Sequence, residues 1–276
     1  MGIATVLKPD HGVPPIEAAA PSEPDRRWVS AGRLGVNLVV LAGMLLLYLA
    51  AASLMALAAV RVGADLLAGI DPFLDAARRP YLGATELARR ELAVDVLRQV
   101  FLAGLVVAVA LRRDGTGWRR RLALDRERPN GMRPRTLLLI LLLWPAVHIA
   151  WVTGTAEAFG AAFGNGVRLS PMLSPAAVAA WLGYVVVLAP AAEEMLMRGE
   201  GFAAARRFLP PAATILVTAL LFAMAHVSAW GFARPVSLAP LALMLGWLRW
   251  RTGRLWPCIA LHGWSNLALI AYVLWP

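Results

Sequence analysis

Five stretches without a single charged residue decide what this chain can fold into. They cover 34–60, 136–156, 169–192, 208–233 and 255–276. Each is near or above the ~20 apolar residues that cross a bilayer core as a helix. A weaker run covers 235–248. Another, 99–111, reaches spanning length only if Asp95 and Arg98 lie inside its helix, where a spacing of three lets them pair on one face. The expected architecture is all-α, a polytopic transmembrane bundle of about seven helices, five of them set by the uncharged runs. Composition agrees: 59% of residues are hydrophobic, 16% are charged and the mean hydropathy is +0.64. That leaves too little polar surface for a domain facing water on all sides.

The net charge of +10 invites a nucleic-acid partner, but its distribution argues for none. Arginines gather between apolar runs, at Arg112, Arg113, Arg119, Arg120, Arg121, Arg126, Arg128, Arg133 and Arg135. Such clusters mark a cytosolic loop held by the positive-inside rule and by anionic lipid in the bilayer. Arginine-rich and arginine-poor loops alternate along the chain, which puts the N-terminus in the cytosol and, with about seven spans, the C-terminus outside. Residues 1–30 are polar and rich in proline, and are expected to be a disordered cytosolic tail. Residues 31–174 then hold the N-terminal helices and the arginine loop, and 175–276 a second set of helices. The lone Cys258 excludes an intrachain disulfide and reads as a buried hydrophobe. Abundant arginine and alanine with a single lysine suggest a GC-rich bacterial genome and a location in the bacterial cell membrane.

Ionisable groups at membrane depth are costly, so each one asks for a reason. Three short patterns in the second half contain them: Glu193, Glu194 and Arg198; Phe222 and His226; His262 and Asn266. The members of each pair Glu194/Arg198, Phe222/His226 and His262/Asn266 stand four apart, on one helical face. Depth matches if the helix bearing the glutamates runs on to about Phe208, where Pro210 and Pro211 break it. Glu194 and His226 then both lie ~21–23 Å from that turn at the helical rise of ~1.5 Å per residue. A carboxylate beside imidazole can hold a water and take its proton, and Arg198 can balance the paired glutamates. Imidazole and carboxamide are suitable donors to an oxyanion. Two histidines with a glutamate are also a zinc-type donor set, with Glu193, His226 and His262 the candidates, so a divalent metal stays open although the water mechanism requires none. Pro190 frees the carbonyl of Val186 and loosens the helix beside Glu193, unless it is an ordinary kink. His148 belongs to none of the patterns and reads as a packing residue.

In this order the three patterns resemble the CPBP family (CAAX protease and bacteriocin-processing, also called Abi) of intramembrane proteases. The stretch 246–257 before His262 is similar to the family's linker, and the resemblance covers about residues 175–270. It differs in Met197, where the family often has phenylalanine before the arginine. The resemblance implies that 175–276 is a catalytic core in which Glu193 is the general base for water and His226 helps to hold that water. It further implies that His262 and Asn266 stabilise the oxyanion, while Glu194 and Arg198 orient the site. The implied activity is an endopeptidase acting on a membrane-tethered or hydrophobic peptide, in CAAX-type or bacteriocin-related processing. A catalytically silent relative serving as scaffold or immunity factor is the alternative. A transporter predicts repeat symmetry, and none is visible in the sequence.

Overall fold

Within a bilayer every backbone polar group must find its partner inside the chain, and helices do this segment by segment. The computed structural model follows that rule; it describes residues 31–73, 81–125, 132–158, 174–227 and 231–274. The expected tail 1–30 and most of the loop before the fourth long helix fall outside these residues. The helices are α1 (Ala31–Leu67), α2 (Ala84–Asp114), the single turn α3 (Trp118–Arg121), α4 (Pro134–Ala158), α5 (Pro175–Ala205), α6 (Pro211–Met224), α7 (Ala233–Thr252) and α8 (Trp256–Leu274). Setting aside the single turn α3, seven helices form an all-helical bundle among the described residues, as expected from the apolar runs.

Five of these helices are long and apolar enough to cross a membrane, namely α1, α2, α4, α5 and α8. The set differs from the uncharged runs in two places. α2 is a full span because Asp95 and Arg98 do lie within it, paired at 3.0 Å one turn apart. The run 208–233, by contrast, yields only the 14-residue α6, which stops at Met224. Hydropathy counts the absence of charge, whereas a helix also needs its backbone pairing to continue. Here the N–H of His226 turns back to the Ala223 carbonyl and ends it. α5 continues past Arg198 to Ala205, somewhat short of the expected Phe208, and turns carry the chain on to the break at Pro210.

Two apolar clusters hold the bundle. Leu41, Leu45, Leu102, Val106, Leu196 and Phe222 join α1, α2, α5 and α6. Trp144, Leu241, Leu245, Leu248 and Leu261 join α4, α7 and α8. Apolar residues on the outer faces, such as Val39, Leu47, Leu142, Leu143 and Leu216, stay exposed in the way lipid-facing residues do. Together these features describe an integral membrane protein whose polar groups are gathered inside.

Candidate active site

The site begins with a defect in α5. Pro190 has no N–H to offer the preceding turn, and the helix answers with a π segment, Tyr184–Leu188, ahead of the α-helical Ala189–Glu194. A second π segment, Met195–Gly201, follows. Such bulges widen the helix and are frequent at functional sites. α8 docks onto the loosened backbone. Asn266 Nδ2 donates to the Val185 carbonyl at 2.9 Å, so the freed acceptor that it satisfies is one residue earlier than Val186. Gly263 lies against the Val186 carbonyl so closely that a Cβ would collide with the backbone there. Gly263→Ala is therefore expected to push α8 off α5. We expect a loss of about 1–3 kcal/mol, read as a lower melting temperature in detergent; wild-type melting would mean the close approach is not needed.

On this frame Glu193 and Glu194 take different roles. Glu194 is fully buried and its Oε1 receives both Arg198 and His262 Nδ1, each at 3.0 Å. Arg198, equally buried, spans onward to the Ala242 carbonyl at 2.8 Å and sits 4.6 Å above the Phe222 ring. Arg249 in turn donates from Nε to the Arg198 carbonyl at 2.8 Å. Glu193 is more open, its side chain 20% exposed, and accepts from Gln99 Nε2 at 3.3 Å through Oε1. Its Oε2 faces His226 Nε2 at 3.8 Å and His262 Nε2 at 4.0 Å. Five of the six residues singled out by the motifs thus meet from α5, α8 and the turn after α6, while Asn266, one turn along α8 from His262, is tied to α5 at Val185.

Proton positions follow from the partners. The Phe222 carbonyl can only accept, so His226 Nδ1, 2.8 Å away, carries the proton. The Glu194 carboxylate likewise assigns a proton to His262 Nδ1. In the neutral rings both Nε2 atoms then present lone pairs to Glu193 Oε2. Three acceptors facing one another at 3.8 and 4.0 Å call for a group with two protons, or a cation, between them; the separations suit a bridging water. Histidines whose other nitrogen donates to a carbonyl or carboxylate are also built as zinc ligands are. Among the described residues, however, no three His, Cys, Asp or Glu side chains are drawn together as a ready metal site.

Two contributors, Gln99 and His148, escape the motif reading, and Phe222 does more than mark a spacing. Gln99 orients Glu193 from α2. Its signal was present, since an amide in an apolar span is as much in need of a reason as a charge. Phe222 is a buried plate, with its ring centroid 4.7 Å from that of His226 and 5.6 Å from that of His262 in an edge-on contact. His148 is more than packing: its Nδ1 lies 2.5 Å from Ser265 Oγ, to which Trp144 Nε1 donates at 3.3 Å, so α4 fixes the face of α8 next to Asn266.

Residues 175–268 match the family model Rce1-like, described as type II CAAX prenyl endopeptidase Rce1-like. No curated protein and no solved structure matches the chain. The matched segment runs from the start of α5 into α8 and so includes all six motif residues, while Gln99 and His148 lie outside it.

Proposed function

We propose, from the match of residues 175–268 to the type II CAAX prenyl endopeptidase Rce1-like family model, that this chain hydrolyses peptide bonds of membrane-associated or lipid-anchored substrates with a water activated by Glu193. One observation carries the reading: Glu193 Oε2 stands opposite two imidazole nitrogens at 3.8 and 4.0 Å, too far for direct bonds and near enough for a water to bridge them from one side. In the reaction His226 accepts one hydrogen bond of that water at Nε2, while Glu193 accepts the other and takes that proton as the oxygen attacks the scissile carbonyl. The tetrahedral oxyanion is met by the second N–H of Asn266, the first being committed to Val185. His262 keeps its Nδ1 proton on Glu194 and so meets the site through the Nε2 lone pair, which leaves the oxyanion to Asn266 in this scheme. Glu193 then returns its proton to the leaving amine. Glu194 and Arg198 never touch the substrate in this scheme; they hold His262 in place.

The mechanism asks for no metal. The same three side chains, Glu193, His226 and His262, are those that would hold a divalent ion such as zinc, which would supply Lewis-acid activation of water. The test is cleavage of a panel of quenched, lipid-anchored peptides by the purified protein, with and without a chelator. We expect cleavage that survives chelation and falls by about 10²–10⁴-fold in His226→Ala. Loss on chelation with recovery on added zinc would replace the metal-free mechanism. Equal cleavage in the variant would mean a contaminating protease, and silence across the whole panel would point to a non-catalytic scaffold.

A further inference from the structure

Away from the polar site, the C-terminal ends of α2, α5 and α7 enclose an open groove of about 780 Å³, lined by Asp114, Arg120, Arg121, Arg206, Arg249 and Trp250 among others. Four arginines face one aspartate there. Two of the four have evident structural work. Arg121 holds the buried Glu200 and also Asp114, and Arg249 holds the Arg198 carbonyl. Arg120 and Arg206 are less committed. Arg120 is 77% exposed with a long 3.8 Å pairing to Asp125, and Arg206 donates one N–H to the Leu209 carbonyl of its own turn. Cations at helix C-termini answer the helix dipoles, and the four arginines still outnumber the three carboxylates they reach among the described residues, Asp114, Asp125 and Glu200.

The surroundings say at which level of the membrane the groove sits. Three helices end around it, and Trp250 and Trp256, about half exposed, stand at the same end. Exposed tryptophans beside arginines are the usual dress of the headgroup layer. One wall is apolar: Phe202, with the Arg249 guanidinium 5.3 Å above its ring, and Trp250. Basic pockets between membrane helices at this level are shaped for anionic lipid headgroups.

The geometry points to a lipid-binding site in this groove, in which the phosphodiester of an anionic phospholipid is held by Arg120 and Arg206 and its glycerol end lies against Trp250 and Phe202. Through Arg249 the occupied groove adjoins the α5 segment that carries Arg198. The proposal does not depend on the chain being a protease.

The test is native mass spectrometry of the full chain in detergent, offered equal amounts of a phosphatidylglycerol and a phosphatidylcholine. One retained phosphatidylglycerol in preference to phosphatidylcholine is expected, with affinity falling about fivefold in Arg120→Gln and about thirtyfold in Arg120→Gln/Arg206→Gln. Arg206→Lys keeps the charge and should keep most of the preference. Equal retention of the two lipids, or a preference untouched by the double variant, would overturn the site. So would displacement of the lipid by inorganic phosphate at similar concentration, which would assign the groove to a soluble anion. Arg120 is exposed, so its variant reports binding without endangering the fold.

Discussion

Glu193→Gln is expected to melt at or above the wild-type temperature while losing about 10²–10⁴-fold in kcat. The substitution keeps size and shape, and the amide oxygen still accepts from Gln99, as Glu193 Oε1 does at 3.3 Å. On the other side the new NH₂ offers two protons to the two Nε2 lone pairs that Glu193 Oε2 faces at 3.8 and 4.0 Å. Three facing acceptors become one donor group and two acceptors, while the group able to take a proton from water is gone. Stability and activity therefore move in opposite or independent directions, a pattern that a packing role does not produce. Melting in detergent beside single-turnover cleavage is the measurement. A variant that loses stability and activity together would put Glu193 in the scaffold, and one that keeps full activity would remove it from the reaction.

Arg198→Met carries the largest expected loss of stability. Arg198 and Glu194 are both wholly buried and bonded at 3.0 Å. Without the guanidinium, Glu194 keeps only the imidazole of His262, the Ala242 carbonyl loses its side-chain donor, and Phe222 loses the cation above its ring. Removing one partner of a buried ion pair typically costs about 3–5 kcal/mol, because the remaining charge stays in a medium of low dielectric constant. Arg198→Lys should recover little, since a single ammonium cannot reproduce a fork that reaches both Glu194 and Ala242. The diagnostic variant is Glu194→Gln/Arg198→Met, which leaves no orphaned charge and should melt above Arg198→Met alone. If the double variant is the less stable, the pair is not coupled and the orienting role given to it fails. Cleavage should be weak in both, because His262 has lost the carboxylate that assigns its proton.

Much of this was legible in the sequence, for definite reasons. Charge-free runs announce membrane helices, and the spacing of four places Glu194 beneath Arg198, where the structure has them bonded. Prolines 210 and 211 set the turn from which the depths of Glu194 and His226 are counted, and the two do arrive at one level around Glu193. What was not legible depends on contacts between segments far apart in the chain. Gln99 reaches Glu193 across 94 residues and His148 reaches Ser265 across 117, and nothing in local periodicity encodes such a meeting. The end of α6 was hidden too. His226 meets Phe222 as expected, but from the turn beyond the helix rather than from the helix face. The π segments of α5 leave only a trace in sequence, the proline whose missing N–H helps to open the first of them.

The charges of α5 also bear on how the protein is made. Glu193, Glu194 and Arg198 lie within six positions of one span, and each charged residue near a helix centre opposes membrane insertion by roughly 2.5–3.5 kcal/mol. Their partners are split in time of synthesis. Gln99 is made well before α5, whereas Ala242 and His262 follow it by 44 and 68 residues from the groups they bind. While the ribosome is still completing α7 and α8, α5 has no imidazole for Glu194 and no carbonyl for Arg198. Until those spans emerge, α5 offsets its charges only with the Glu194–Arg198 pair of its own helix and with Gln99. A nascent chain arrested before α8 should leave α5 extractable from the membrane, and one arrested after it should not.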